Sequence, residues 1–342
     1  MSSLRCPRCG ATFEPPSKFC TRDGFPLVAA AAPPAAPRGF GLHRTGEARL
    51  PPARRGDPAS GLSGRVLDGR YQMEVRVGEG GMAYVYRARD RESGRSVAIK
   101  VLMSRLIGDT EAVARLRREA QVAMRLDHPN VCGILAFGEA GGMPYLVMPF
   151  LEGETLSRRE TRQGPMAPPS AVPLLIQLCR GLQHAHDAGV LHRDLKPENV
   201  MLVAEAGEGD RAVVMDFGLA KESVAGAEVM KLTATGIVLG TPEFMSPEQI
   251  RGKPLDARSD LFALGVLGFE LLTGRLPFDG NTAQETMLAH LTGQPLRLRE
   301  AGPNLPEDLE RVIARSMAHK AEDRYQSLRE FGEALERVSR QR

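Results

Sequence analysis

Val190-Leu191-His192-Arg193-Asp194-Leu195-Lys196-Pro197-Glu198-Asn199-Val200 sets an acid, a base and an amide side by side between two apolar runs. Asp194 can accept a hydroxyl proton or orient that hydroxyl, Lys196 can balance charge on a moving phosphoryl group, and Asn199 offers a hard amide oxygen to Mg²⁺. The Val190-Leu191 and Val200-Met201-Leu202 flanks read as short strands that pin the loop at both ends.

The chain around it has 342 residues, 42% of them hydrophobic, enough for one large or two medium cores. A formal net charge of +3 is too small to imply a nucleic-acid partner. The longest apolar run, Leu261 to Leu272, covers about a dozen residues against roughly 20 for a membrane span, so no span is expected. The first residues carry cysteine, proline and charge where a secretory signal needs an apolar stretch, which makes the cytoplasm the expected location. Of five cysteines, three lie before residue 21, a pattern that fits metal binding in a reducing compartment better than a disulfide framework.

Cys6-Pro7-Arg8-Cys9-Gly10 and Phe19-Cys20-Thr21-Arg22-Asp23-Gly24 repeat one tight-turn template, with Asp23 where a fourth cysteine would stand. Two thiolates at this spacing chelate one ion across a turn, and two such turns complete a tetrahedron. The repeat resembles a half-length zinc ribbon over residues 1–27, which implies Zn²⁺ on Cys6, Cys9, Cys20 and Asp23; a tail with incidental or redox-active cysteines is the competing reading. Phe13, Phe19, Phe25 and Leu27 are too few to fold such a module, so metal would supply much of its stability. Residues 28–64 are rich in Ala, Pro, Gly and Arg without periodicity, and a flexible linker is expected there.

From Tyr71 apolar and polar residues alternate, and Val75 to Tyr86 reads as strand, glycine turn, strand. Gly78, Gly80 and Gly81 would let backbone N–H groups approach phosphate oxygens. Ser96-Val97-Ala98-Ile99-Lys100-Val101 is an apolar strand holding one lysine, and a buried ammonium needs an anion. The candidate is Glu119, at the edge of the apolar face of a helix from Asp109 to Leu126 that Asp109 or Thr110 caps; a surface pair with Arg115 is the bland alternative. Ser170 to Ala188 reads as a core helix capped by Ser170 and stopped by Gly189, with Cys179, like Cys132, a small buried hydrophobe and His184 and His186 structural. Val213-Val214-Met215-Asp216-Phe217-Gly218 is a short buried strand that ends in a carboxylate, which belongs there if something positive waits for it.

His-Arg-Asp-Leu-Lys-Pro-Glu-Asn, the glycine turn, the strand lysine and Asp-Phe-Gly, in this order, resemble the serine/threonine protein kinases, particularly the eukaryotic-like kinases of bacteria. The resemblance covers about residues 71–338. It implies an α+β, bilobal fold, with a β-rich N-lobe of one key helix (about 71–148) and a larger helical C-lobe (about 152–338), preceded by the small zinc-ribbon-like module. It implies ATP held by Val77, Gly78, Gly80, Gly81, Val85, Ala98 and Lys100, with Glu119 beside Lys100, Met148 as gatekeeper, and the backbone of Pro149 and Leu151 on the base edge. Asp194, Lys196 and Asn199 would be catalytic, and Asn199 with Asp216 would hold Mg²⁺ or Mn²⁺. Residues between Gly218 and Glu248 resemble an activation segment, in which Thr233 or Thr235 would be autophosphorylated, through a transient dimer, and engage Arg193. Thr241 matches the threonine that bridges Asp194 and Lys196 in relatives, which favours Ser/Thr hydroxyls of proteins as acceptors. Asp260 would hold the backbone of the catalytic loop from below, and Arg324 would pair with Glu248. The chain departs from the family pattern at Ala83, where a third glycine stands in relatives, at Pro149, where only a carbonyl is required, and at Ser246, which replaces alanine. The rival reading is a catalytically silent pseudokinase scaffold that recruits partners through the zinc module; intact Lys100, Glu119, Asp194, Asn199 and Asp216 argue against it.

Overall fold

The backbone divides into two units, Met1–Arg54 and Arg55–Arg342. A computed structural model gives the fold, and it describes residues 4–5, 12–13, 28–29, 57–80, 83–103, 110–205, 209–217 and 241–340. Gly81, Thr233, Thr235, Cys6, Cys9, Cys20 and Asp23 lie outside the described residues. In the first unit β1 (Leu4–Arg5) pairs antiparallel with both β2 (Thr12–Phe13) and β3 (Val28–Ala29), and Arg5 stands opposite Thr12 on one side and Val28 on the other.

In the second unit the alternating stretch after Tyr71 becomes a sheet of six strands in the order β4-β5-β6-β7-β9-β8: β4 (Val66–Leu67), β5 (Tyr71–Glu79), β6 (Ala83–Asp90), β7 (Ser96–Leu102), β8 (Ala136–Ala140) and β9 (Met143–Pro149). All its pairs are antiparallel, as short connections permit. Along β7 Val97, Ile99 and Val101 enter the core while Ala98 and Lys100 take the other face, the period of two that a strand imposes. Helix α1 (Thr110–Ala123) buries Leu116, Ala120 and Ala123, three and four residues apart.

This lobe begins earlier than the alternation at Tyr71 suggested. Asp57 accepts a hydrogen bond from Ala59 N and caps a 3-10 turn, Pro58–Ser60. Ala59, Leu62 and Leu67 are buried in one cluster with Tyr71, Met73 and Tyr86, whose Oη donates to Ala59 O at 2.8 Å. Residues 57–64, assigned by composition to the flexible linker, therefore belong to the lobe. Two apolar side chains and a capped turn order them, a signal that the surrounding Gly and Ser conceal.

The C-terminal part is helical. After β10 (Glu154–Thr155) come α2 (Leu156–Gln163), α3 (Pro168–Asp187), the hairpin of β11 (Val200–Glu205) and β12 (Gly209–Val214), and then α4 (Ala257–Thr273), α5 (Ala283–Thr292), α6 (Glu307–Ser316) and α7 (Leu328–Arg340). As its almost wholly apolar run, interrupted by Glu270, predicts, α4 is buried from Ser259 to Phe269. Gly265 permits the close approach of α6, since a Cβ there would stand 2.2 Å from Ser316 Oγ.

Two local expectations change. Helix α3 starts at Pro168 with Ala167 as its cap and no side-chain cap bond, so Ser170 lies inside it; paired prolines open a helix well because their missing N–H groups have no intrahelical partner there anyway. Only the flank after Asn199 becomes a strand, because Val190 N–H donates to Ala185 O and closes α3 instead.

Candidate active site

The chain between α3 and β11 is held from below by one carboxylate. Asp260, 2% exposed on α4, accepts His192 N at 2.8 Å on Oδ2 and Arg193 N at 2.7 Å on Oδ1, and His186 Nε2 lies 2.7 Å from Oδ2. Burial opposes charge on Asp260, yet the His186 hydrogen bond, the nearby imidazoles and the loop N–H groups outweigh it and hold the carboxyl below the usual carboxylate range. The helix cap is a different residue, Asp256, which accepts from Arg258 N. Asp260 is thus free to serve the loop, and His186 is structural as expected.

Arg193 has φ 64° and Asp216 has φ 55°, two of the three non-glycine residues with positive φ among the described residues. Such conformations cost on the order of 1–3 kcal/mol each and persist only where neighbours enforce them. His192, fully buried, links the two. Its Nδ1 accepts from Asp194 N at 3.2 Å and its Nε2 donates to Met215 O at 2.8 Å, which assigns the neutral Nε2–H tautomer. Burial pushes its pKa down, in keeping with that neutral form. Phe217 packs on the imidazole with ring centroids 4.9 Å apart. Met215 N donates to Asn199 O at 2.8 Å, a second tie between the loop and the turn that carries Asp216.

Lys100 Nζ, a fifth exposed, stands 2.8 Å from Asp216 Oδ1. The strand lysine does have an anionic partner, and the pair spans 116 residues of sequence to Asp216; Glu119, the partner expected on α1, is half-buried. Burial would raise the Asp216 pKa, but the Lys100 ammonium and its hydrogen bond hold it down. Lys196 Nζ lies 3.4 Å from Asp194 Oδ2 and donates to Thr241 Oγ1 at 3.1 Å, so the residue that links the other two is Lys196, where the resemblance implied Thr241 between Asp194 and Lys196. Asn199 Nδ2 donates to Asp194 O at 2.8 Å, which turns the amide oxygen to the other side. A carboxylate on Asp216 and an amide oxygen on Asn199 make a donor set suited to a hard divalent cation.

An apolar cluster extends from this polar centre. Cys132, Met148 and Val213 are buried in it, with Ala98, Leu151, Met201, Val203 and Met215 packed against them. Ala98 and Met148 are direct partners across β7 and β9, and Val85 faces Lys100 across β6 and β7. Of the expected nucleotide-binding residues, this brings together Ala98, Met148 and Leu151; Val77 on β5 is 44% exposed. Met201, Met215 and His192 were not singled out in the sequence. The alternation of β11 carried a signal for Met201, which lies on the face opposite Val200 and Leu202, whereas Met215 and His192 acquire their roles only through distant partners. Burial raises the Cys132 thiol to about 12, so it packs as a small hydrophobe.

With this geometry the chain was compared with known proteins. The protein kinase domain family model matches residues 71–331. The chain is 40% identical over 282 residues to serine/threonine-protein kinase pkn3 of Myxococcus xanthus, covering 82% of this chain and 52% of that protein. It is 40% identical over 266 residues to serine/threonine-protein kinase PrkC of Bacillus subtilis (78% and 40%) and 38% identical over 276 residues to serine/threonine-protein kinase PknB of Mycobacterium leprae (80% and 43%). The chain thus spans about half or less of the length of these relatives. Among solved structures, the PknI kinase domain of Mycobacterium tuberculosis superposes with a TM-score of 0.64 at 27% identity, covering 80% of this chain and 98% of that one. Residues 71–331, with the strained loop and the Lys100–Asp216 pair they contain, place this chain in the protein kinase family.

Proposed function

We propose that this chain transfers the γ-phosphoryl group of ATP to serine or threonine hydroxyls of proteins. The observation that carries the reading is the Lys100–Asp216 pair, 2.8 Å apart, together with the links of Lys196 and Asn199 to Asp194 within the loop. Asp194 orients and deprotonates the acceptor hydroxyl, Lys196 neutralises charge on the moving phosphoryl group, and Lys100 grips the phosphates. Asn199 and Asp216 hold Mg²⁺ or Mn²⁺, which when bound neutralises the phosphate oxygens. The glycines of residues 78–81 bring backbone N–H groups to the phosphates, while Val77, Val85, Ala98, Met148 and the backbone of Pro149 and Leu151 accommodate the base. Catalysis on this plan is mostly positioning and charge stabilisation. The test is incorporation of labelled phosphate from ATP with Mg²⁺ into the chain and into a generic protein acceptor. Incorporation that falls at least about 10²-fold in Asp194→Asn supports the reading. No incorporation by the unaltered chain would favour the pseudokinase scaffold.

Around this core the reading includes activation by autophosphorylation at Thr233 or Thr235, through a transient dimer in the cytoplasm, with Arg193 engaging the phosphothreonine. Among the described residues no helix is long and apolar enough to cross a membrane. A zinc site on Cys6, Cys9, Cys20 and Asp23 is also part of the proposal. The repeated Cys-x-x-Cys-Gly and Cys-x-x-Asp-Gly spacing supports it. Metal analysis should find one zinc per chain, lost on Cys6→Ser with Cys9→Ser; a metal-free chain would remove this part.

A further inference from the structure

The geometry points to Gln249 as a positioning residue for Asp194, a role that rests on the kinase reading above. The peptide joining Arg193 to Asp194 decides where the Asp194 carboxylate is aimed, and it follows a residue in the left-handed region, at φ 64°. A peptide plane in so sparsely populated a conformation rotates back unless both of its polar groups are held. Its N–H donates to His192 Nδ1 at 3.2 Å. Its carbonyl, Arg193 O, accepts from Gln249 Nε2 at 2.9 Å. The N–H of Arg193 itself is taken by Asp260.

Gln249 is fixed so that it can present only that end of its carboxamide. Its Oε1 accepts from Ser246 N at 2.9 Å, while its own N–H donates to Ser246 Oγ at 3.3 Å, a reciprocal capping box around the short helix Pro247–Ile250. A flipped carboxamide would set an N–H against the Ser246 N–H and an oxygen against the Arg193 carbonyl, losing both bonds. Ser246 is wholly buried, and Glu248, between the two partners, is gripped by Arg324 and by Ser259 Oγ at 2.7 Å. The helix that carries Gln249 is therefore anchored independently of the loop it holds. The serine at position 246 supplies the Oγ half of the lock, which an alanine there would lack.

The experiment measures kcat, KM for ATP, direct ATP affinity and the thermal midpoint for Gln249→Glu, Gln249→Met and Ser246→Ala. Gln249→Glu keeps the oxygen for Ser246 N and the shape, and replaces the donor to Arg193 by an acceptor. The expected result is a fall in kcat of roughly 10- to 10²-fold in Gln249→Glu and Gln249→Met, with ATP affinity unchanged. Ser246→Ala, which removes only the Oγ acceptor of the Gln249 backbone N–H and leaves the carboxamide on Ser246 N and Arg193 O, should lose less. An active chain whose Gln249→Met variant keeps its kcat overturns the inference alone. So does a loss of kcat matched by loss of ATP affinity and of the thermal midpoint, which marks a structural role. An unaltered chain that transfers no phosphate overturns the kinase reading and this role with it.

Discussion

Arg324, wholly enclosed, grips Glu248 with both ends of its guanidinium, Nη1 standing 2.8 Å from Oε1 and Nη2 3.0 Å from Oε2. Its remaining donors reach Ala318 O, Arg258 O and His319 O, so all five N–H groups are used, and the plane lies 4.8 Å from the Phe262 ring centroid. A buried charge is tolerable only with this degree of satisfaction.

Removing one partner strands the other. Arg324→Met should cost about 3–5 kcal/mol in chemical denaturation, and a loss below roughly 1 kcal/mol would contradict the account. Burial raises the Glu248 pKa, but Arg324 and Ser259 outweigh it and hold the carboxyl below its ordinary 4.5. With the folded value below the unfolded one, the stabilisation is present above about pH 4.5 and is lost as pH falls through the folded value.

His290 should set part of the same acid limb from the opposite kind of group. It is fully buried beside the rings of Phe262 and Phe278, at centroid distances of 5.6 and 4.5 Å, with His319 nearby. Burial first, and His319 to a lesser degree, push its pKa down to about 4 from 6.5. The neutral ring is the stable form, so its contribution is complete above pH 6.5 and disappears as pH falls through 4, a change of about 3 kcal/mol. Denaturation curves of His290→Phe between pH 7 and 4 should be flatter than those of the unaltered chain; parallel curves would refute this.

Two carboxylates act at the alkaline side. Glu160 on α2 is raised to about 8 and Glu270 on α4 to about 7, by burial first and then by neighbouring carboxylates, Glu270 and Glu198 for the former, Glu198 and Glu243 for the latter. Folded values above the ordinary 4.5 mean that stability is full below pH 4.5 and declines as pH rises through 7 and 8. Glu160→Gln should therefore stabilise the chain at pH 9, on the order of 2 kcal/mol after allowance for solvent screening, and change little at pH 5. Equal effects at both pH values would show that repulsion is not the cause.

The segment before Tyr71 should be required for the N-lobe. A chain beginning at residue 57 keeps the buried Ala59, Leu62 and Leu67 and the Tyr86–Ala59 hydrogen bond, whereas one beginning at residue 71 loses them all. The second truncation should be less stable than the first by about 3 kcal/mol. Equal thermal midpoints for the two truncations would show that the segment contributes nothing.

By itself the sequence determined the elements and the order of the polar motifs: a period of two along β7, an almost wholly apolar run for α4, and an acid, a lysine and an amide within one short loop. These are legible because strand and helix periods, and the reach of a tight turn, are set within a few residues. Tertiary structure alone decided which groups meet. Lys100 stands against Asp216, 116 positions away, His192 joins the Asp194 peptide to Met215, and Gln249 holds the carbonyl of Arg193 from 56 positions away. The physical reason is that a hydrogen bond depends on position to within a few tenths of an ångström. Over such separations that precision comes from the packing of whole elements, such as β12 on α3 and α3 on α4, which no local pattern records.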